Sequence, residues 1–141
     1  LSLKLKWYLM SRRQFQQCEV IEMRILKVEP GDVPYEKDIP NELACIQEEV
    51  GGGLCQAVYI GKGVMLCCNE EAKLNGMQPN RWLGDEDIIC GPFFLVGDNG
   101  EGDFISLNDE QIAACMDVFG EPQKFTGEEE QLEPYVEFYS L

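Results

Sequence analysis

The sequence predicts a small α+β domain in which a mostly antiparallel sheet packs against two short helices. Three observations indicate this fold class. Residues alternate between apolar and polar from Met23 to Val28, as in a strand with one buried face. Two β-prone segments flank Gly61-Lys62-Gly63, a loop with glycine where a hairpin needs positive φ. Apolar residues recur at helical spacing from Ile112 to Phe119.

Length and composition support one domain with a hydrophobic core. The chain has 141 residues, of which 45% are hydrophobic, and this content argues against disorder. The longest apolar runs, around Val64–Cys68 and Phe93–Val96, fall far short of the ~20 residues that span a bilayer. We therefore expect no transmembrane helix.

The first part of the domain should hold one strand and one helix. Met23–Val28 is the strand. Pro40-Asn41 then opens the helix, with Asn41 predicted as its N-cap. Gly51-Gly52-Gly53 ends it, because glycine reaches left-handed conformations at little cost. Three apolar residues fall on one face of this helix: Leu43, Ile46 and Val50.

The central part should form a hairpin followed by a polar loop. The strands of the hairpin are Leu54–Ile60 and Val64–Asn69. Asn69–Gly76 follows as a loop or a single helical turn capped by Asn69, and residues 77–82 continue it in an extended conformation. Gly84–Asp87 should be an exposed turn.

The last part should add a strand, a turn and the second helix. Ile88–Val96 is predicted as one strand, in which Gly91-Pro92 requires an edge position or a bulge, because proline cannot donate to the ladder. A turn at 98–100 leads into a further short strand. Asn108 and Gln111 then form a capping-box pattern at the start of the helix.

Charge divides the chain into three segments. Residues 1–22 carry four basic and two acidic residues, whereas the rest of the chain carries 7 basic and 24 acidic residues. We interpret 1–22 as a leader or an over-extended start outside the core, and 23–120 as the single α+β domain. An acidic tail that contains aromatic residues follows at 121–141.

Residue types that serve metal binding and acid–base catalysis are scarce. Histidine is absent, and the seven cysteines show no C-x-x-C spacing. We therefore expect reduced cysteines, no metal, no cofactor and no catalytic residue. Asp98–Asp109 suggests a calcium loop, but glycine occupies two of its ligand positions, so a hairpin turn is the better interpretation.

The net charge of -15 bears on the choice of partner. Such a surface repels a phosphate backbone, so direct binding of nucleic acid is not expected. The same field attracts proteins with a basic surface, including those that bind nucleic acids. Alternatively, the acidity serves only to keep the protein soluble.

Two adjacent polar stretches hold the candidate binding residues. The loop from Asn69 to Arg81 has amide and guanidinium groups that can contact a base or a phosphate of a small nucleotide. Alternatively, turns, caps and an Arg81–carboxylate pair account for these side chains. The exposed acidic turn that follows offers carboxylates to a basic surface. The candidates are Asn69, Glu70, Glu71, Lys73, Asn75, Asn80, Arg81, Asp85, Glu86 and Asp87.

A series of short motifs occurs in order between Met23 and Phe119. They are Val28-Glu29-Pro30-Gly31, Val50-Gly51-Gly52, Ala57-Val58-Tyr59, Cys68-Asn69-Glu70-Glu71, Lys73-Leu74-Asn75-Gly76, Pro79-Asn80-Arg81, Asp87-Ile88-Ile89, and Ser106-Leu107 with Asp109-Glu110. This series resembles an uncharacterised family, a domain of unknown function carried on phages and conjugative elements of Gram-positive gut bacteria. The resemblance implies a mobile-element setting and brings no established activity or catalytic residue with it.

We therefore expect a non-enzymatic, acidic protein in the cytoplasm of a bacterial host cell, with no membrane partner. It would inhibit a host defence system of the anti-CRISPR or antirestriction type by binding the basic surface on which that system holds nucleic acid. The link from mobile element to defence inhibition is an association and does not follow from any residue. The alternative is a protein that sequesters a nucleotide signal with the loop Asn69–Arg81.

Overall fold

The computed structural model describes residues 21–134, and the α+β prediction is confirmed in them. The described chain forms eight strands, two α-helices and one short 3-10 turn. In order, the elements are β1 (Glu22–Val28), β2 (Tyr35–Pro40), α1 (Leu43–Glu49), β3 (Cys55–Gly61), β4 (Val64–Asn69), β5 (Pro79–Leu83), β6 (Asp87–Cys90), β7 (Phe93–Asp98), β8 (Phe104–Ile105), α2 (Asp109–Phe119) and the 3-10 turn (Glu130–Leu132).

Strand β7 is the centre of the main sheet. The strand order is β2-β1-β7-β4-β3, with β8 also paired to β7, and every pairing is antiparallel. β5 and β6 form a separate two-stranded hairpin. Because both faces of the sheet are covered at β7, its residues from Phe93 to Gly97 are buried. The sequence of this strand is accordingly apolar at consecutive positions, not at alternate ones.

The two faces of the main sheet carry separate parts of the core. Phe93 and Leu95 of β7 pack with α2 on one face, where Phe119 lies edge-on to Phe93 with ring centroids 5.4 Å apart. Phe94 and Val96 point to the other face and pack with Ile46 of α1. The predicted helical stripe is therefore confirmed as core, because Ile112, Cys115 and Phe119 are buried.

The structure corrects the prediction for residues 35–41. β2 was not predicted, because four of its six residues are exposed and its charged sequence lacks apolar alternation. Asn41 does not cap α1: its side-chain amide donates to the carbonyl of Phe104 instead. The N-cap position is Glu42, which makes no capping hydrogen bond with its side chain. Gly51, Gly52 and Gly53 end the helix with positive φ, as predicted.

The predicted strand Ile88–Val96 is two strands that belong to two different sheets. The chain breaks at Gly91-Pro92, where Gly91 has φ 76° and its N–H donates to the carbonyl of Gln78. A Cβ at Gly91 would lie 2.6 Å from Sδ of Met77, so this close approach also requires glycine. The expectation of an edge strand or bulge was therefore wrong, since β7 is central.

The hairpin and the capping box are confirmed. β3 and β4 pair across Gly61-Lys62-Gly63, whose three residues all have positive φ. The side-chain oxygen of Asn108 accepts from the N–H of Gln111 at 2.8 Å, and the side-chain oxygen of Gln111 accepts from the N–H of Asn108 at 3.0 Å. The Gln111 amide also donates to the carbonyls of Lys62 and Gly63, which ties α2 to the hairpin.

The segment after α2 packs on the small hairpin as far as it is described. The rings of Phe125 and Trp82 have centroids 6.3 Å apart, and Gln123 accepts a hydrogen bond from the N–H of Trp82. The rest of the predicted tail, residues 135–141, lies outside the described residues, as do residues 1–20 of the predicted leader. Within residues 21–134, no helix has the length and apolar character that a bilayer span requires.

Glu49 links two lysines at the end of α1. Its two oxygens accept hydrogen bonds from Nζ of Lys27 and of Lys37, each at 2.7 Å. Burial alone would raise the pKa of Glu49, but the two lysines outweigh it and lower the pKa below its ordinary value. The charged form of Glu49 therefore stabilises the fold. This stabilisation is present above the unfolded pKa of about 4.3 and is lost as pH falls through the lower folded pKa.

We expect Glu49→Gln to lower the free energy of unfolding by about 2 kcal/mol at pH 7, the range for a hydrogen bond to a charged group. The loss arises because the amine of Lys27, whose side chain is 8% exposed, is left without its carboxylate partner. Urea unfolding at pH 7 and pH 3 measures the effect, and the gap between the two proteins should shrink at pH 3. An equal gap at both pH values would contradict this assignment.

Candidate functional site

A cleft of about 270 Å³ lies between the outer part of the main sheet and the β5–β6 hairpin. Val58 and Leu66 line it from β3 and β4, and Leu83 and Ile89 line it from the hairpin. Four of the predicted site residues also line this cleft: Asn69, Glu70, Lys73 and Asp87. The cleft thus combines an apolar wall with charged groups, an arrangement that suits a side chain with an apolar stem and a charged end.

Asn69 shapes one wall of the cleft and is itself buried. Its side-chain amide donates to the carbonyls of Val50 at 3.1 Å and Gly52 at 2.6 Å. Its side-chain oxygen accepts from the N–H of Glu71 and so fixes the turn after β4. The predicted cap or turn role of Asn69 is confirmed, and its polar atoms are committed to the loop that follows α1 and to the turn after β4.

Lys73 and Asp87 form an ion pair at the cleft. The Lys73 ammonium donates to Oδ1 of Asp87, and the same oxygen accepts from the N–H of Ile88 at 2.8 Å. Lys73 is the one cation among the residues that line the cleft, and a carboxylate already neutralises it. Glu70 is exposed and has no ion-pair partner within residues 21–134. An anionic ligand would therefore meet more negative than positive charge here.

Asn80 lies inside the protein, at the junction of the two sheets. It is 0% exposed, and its amide donates to the carbonyls of Val28 at 3.0 Å and Gly91 at 2.8 Å. Its side-chain oxygen accepts from the guanidinium of Arg81. All the hydrogen-bonding groups of this side chain are thus used within the fold, so Asn80 stabilises the junction and is not available to a ligand.

Arg81 is also 0% exposed and joins three parts of the chain. Its Nε donates to the carbonyl of Phe119 at 2.9 Å, Nη2 donates to that of Asp32 at 2.6 Å, and Nη1 donates to both oxygens of Asn80. Burial lowers the pKa of the Arg81 guanidinium, and the nearby Asp32 carboxylate opposes part of this decrease. The predicted Arg81–carboxylate pair is wrong, because the guanidinium donates to carbonyl oxygens instead. Arg81 does not reach the surface.

The remaining predicted residues lie on surface turns. Asp85 and Glu86 are exposed in the turn between β5 and β6, directly before Asp87. Asn75 is exposed in the turn after β4, where its N–H donates to the carbonyl of Glu71. The structure therefore separates the candidates into a buried group at the sheet junction and an exposed acidic group beside the cleft. We call Glu70, Asp85, Glu86 and Asp87 the acidic rim.

The thiols near the cleft are poor nucleophiles. Burial raises the pKa of Cys68 to about 11 and also raises that of Cys90, so both stay protonated at neutral pH. All six cysteines of the described part are free. No group of histidine, cysteine and carboxylate side chains suited to a metal occurs in residues 21–134.

One family model matches this chain over residues 23–120, with the description Domain of unknown function (DUF3846). The chain belongs to this family. No curated protein matches it, and no solved structure does. The matched range runs from β1 to the end of α2, so the DUF3846 range contains the acidic rim and nearly all residues that line the cleft.

Carboxylates without a cation dominate the surface of this DUF3846 protein. The described residues contain 24 carboxylates, and four of them form ion pairs: Glu36, Glu49, Asp87 and Asp109. They contain seven cations, of which Arg81 is buried and four others are in those pairs. The negative charge is therefore not cancelled locally and is presented to solvent.

The sequence did not lead us to predict that β3, the outer strand, lines the cleft. Gln56 and Val58 of β3 line it, although neither was a candidate. A signal was present in the sequence, because residues 54–61 contain no charge in a chain with 26 acidic residues. An uncharged strand in so acidic a chain indicates a position that is either buried or reserved for contact.

Proposed function

We propose that this DUF3846 protein is a non-enzymatic inhibitor from a phage or other mobile element that binds the basic surface of a host protein. The target would be a nucleic-acid-targeting defence protein of the restriction or CRISPR type. The observation that carries this proposal is the excess of exposed carboxylates without cations. Such carboxylates present the same sign of charge as phosphates, so they compete for surfaces that hold nucleic acid.

The acidic rim is the part of this surface best suited to basic side chains. Glu70, Asp85 and Glu86 have no cation partner among the described residues. Glu70 lines the cleft, and Asp85 and Glu86 directly precede Asp87, which also lines it. Lysine and arginine have long aliphatic stems that cover apolar surface while the charged end reaches a carboxylate. The rim and the cleft together match both parts of such a side chain.

The geometry does not favour the nucleotide-binding alternative. Asn80 and Arg81, which would contact the base or the phosphate, are buried and hydrogen-bonded to carbonyl oxygens. Lys73 is paired with Asp87. A thermal-shift screen tests this alternative directly, since a nucleotide at 100 times its Kd would add ~2.7 kcal/mol to the stability.

The proposal is tested by adding the protein to purified restriction endonucleases and RNA-guided nucleases and measuring DNA cleavage. We expect inhibition of at least one nuclease, weakening steeply as salt rises, because exposed charges are screened beyond ~8 Å at physiological ionic strength. The triple variant Glu70→Gln, Asp85→Asn, Glu86→Gln should slow association with that nuclease at least tenfold and change dissociation less, as steering charges do. It leaves the Lys73–Asp87 pair intact.

A matched control removes the same charge from the opposite side of the main sheet. Glu22→Gln, Asp38→Asn and Glu48→Gln change three exposed carboxylates near β2 and α1. If the rim is the contact surface, this control should slow association far less than the rim variant. Inhibition that is insensitive both to salt and to the rim variant would rule out phosphate mimicry.

A further inference from the structure

The two edges of the main sheet are built differently. β2, at one edge, carries Glu36, Lys37 and Asp38 and ends in Pro40. Charged residues and proline at an edge strand discourage other chains from pairing with it. β3, at the other edge, has the sequence Cys-Gln-Ala-Val-Tyr-Ile-Gly and contains neither. The fold therefore protects one edge and leaves the other suited to pairing.

The backbone of β3 has unpaired groups on its outer side. The N–H of Glu70 donates to the carbonyl of Leu54, and antiparallel pairs alternate between bonded and non-bonded positions. Counting from that bond, the backbone groups of Cys55, Ala57 and Tyr59 point away from β4. Since β3 is the last strand in the order, no strand among residues 21–134 covers these groups.

Apolar side chains surround this edge on the surface. Tyr59 is 57% exposed and Ile60 is 37% exposed, and Leu54 precedes the strand with 54% exposed. Leu74 at the cleft and Val118 on α2 are also exposed. Half of the large hydrophobic residues that are exposed in the described chain are therefore grouped around β3, the cleft and the end of α2.

Both cavities open on the same face of β3. Gln56 and Val58 line the cleft, and Ile60 lines a second cavity of about 290 Å³ between the β3–β4 hairpin and α2. Gln56 and Val58 share one face because side chains alternate along a strand. Ile60 lies at the irregularity between Tyr59 and Gly61, and it lines the second cavity together with Val64 and Phe119, which are in the same core cluster as Leu66 of the cleft. We call the second cavity the groove. A strand added beside β3 would direct alternate side chains toward the cleft and the groove.

We propose that β3 binds an extended, cationic segment of a partner protein as an additional strand of the main sheet. The backbone of that segment would pair with Cys55, Ala57 and Tyr59, and its alternate side chains would enter the cleft and the groove. Backbone pairing supplies affinity in such complexes, while pockets for alternate side chains supply specificity. This inference rests on the proposed function for the sign of the partner's charge.

Charge decides between a basic segment and a second copy of this chain. A second copy would bring another net charge of -15 to the edge, and the two charges would repel. A cationic segment would instead meet Glu70 at the cleft and Asp117 at the groove, neither of which has an ion-pair partner among the described residues. Lys62 also lines the groove, so the cleft is the more acidic of the two cavities.

The test uses two capped nine-residue peptides of alternating lysine and valine. One has ordinary amides, and the other is methylated at every backbone nitrogen, so that it keeps the charge but cannot donate to a strand. We expect the ordinary peptide to bind at least tenfold more tightly to the wild-type protein. NMR hydrogen exchange should show that it slows exchange of the Ala57 and Tyr59 amides.

A matched pair of proline variants tests the same point on the protein. Ala57→Pro removes an N–H of β3 that points away from β4. Asp38→Pro makes the same change in β2. The N–H of Asn41 donates to the carbonyl of Ile21, so by alternation the N–H of Asp38 points away from β1. We expect Ala57→Pro to weaken binding of the ordinary peptide at least tenfold and Asp38→Pro to leave it unchanged. Should Ala57→Pro fail to fold, the two peptides decide the question on the wild-type protein.

Each other outcome overturns strand addition. Equal binding of the two peptides would show simple charge attraction, and nuclease inhibition that depends on the acidic rim would still support the proposed function. A dimer that Ala57→Pro dissociates would make a second copy the occupant. Amides of Ala57 and Tyr59 that exchange slowly in the free monomer would mean that the chain covers its own edge. Binding of neither peptide would also contradict the inference.

Discussion

Replacing Arg81 with alanine should lower the free energy of unfolding by about 4 kcal/mol. The change leaves the carbonyls of Phe119 and Asp32, and both oxygens of Asn80, without the donors that they have in the structure. Each buried acceptor without a partner costs about 1–3 kcal/mol and a cavity adds to this, but removal of the buried charge recovers its desolvation cost, so the net loss is near the lower end of the sum. Urea unfolding followed by circular dichroism measures the loss.

Two further substitutions separate this structural role from a binding role. Arg81→Lys keeps the charge but not the planar fork, so it should recover little of the stability. Lys124→Ala removes an exposed cation and should change the stability by less than about 0.5 kcal/mol, as surface substitutions do. An Arg81→Ala variant that is as stable as the wild type but no longer binds the partner protein would show that Arg81 contacts that protein directly.

Phe119→Ala should cost about 3–5 kcal/mol by leaving a cavity in the core. Phe119 is 1% exposed, at the end of α2, and its ring contacts Phe93 of the central strand. The same residue supplies the carbonyl that Arg81 binds, so a shift of the helix end would weaken that contact as well. The measurement is the midpoint of denaturant unfolding, with an unchanged m-value as evidence that the folded state is retained.

Val118→Ala is the matched control for this prediction, because Val118 is the preceding residue of the same helix and is 65% exposed. We expect a change within about 0.5 kcal/mol. If both variants lose stability equally, the loss does not come from the burial of Phe119 in the core, and helix propensity does not explain it either, because alanine is the better helix former at both positions. If neither does, α2 contributes little to the fold, contrary to its contacts.

Local patterns predicted the elements whose determinants are close together in the chain. The β3–β4 hairpin depends on Gly61 and Gly63, and the start of α2 depends on Asn108 and Gln111 three residues apart. Both were correct, since turn geometry and capping are local. β2 was not predicted because its determinants are not local. Its position depends on pairing with β1, and only Ile39 of its six residues is buried.

The roles of the candidate residues were harder to predict than the fold. Arginine and asparagine are usually exposed, so Asn80 and Arg81 were reasonable ligand contacts in the sequence. Their actual partners are backbone carbonyls of Val28, Gly91 and Phe119, and a carbonyl is present at every position whatever its side chain. No residue pattern therefore marks such partners. The acidic turn was placed correctly on the surface, because its exposure follows from its own composition.

The central place of β7 has a consequence for the order in which the chain becomes structured during synthesis. β1–β2 and β3–β4 are hairpins of neighbouring strands, but β7 must enter between them before the sheet is complete. A ribosome adds about 5–20 residues per second, so the roughly 30 residues from the end of β4 to the end of β7 take ~1.5–6 s. During that time the inner edges of β1 and β4 have no neighbour. The nascent protein thus presents two unpaired edges that the main sheet of residues 21–134 no longer has once β7 is in place.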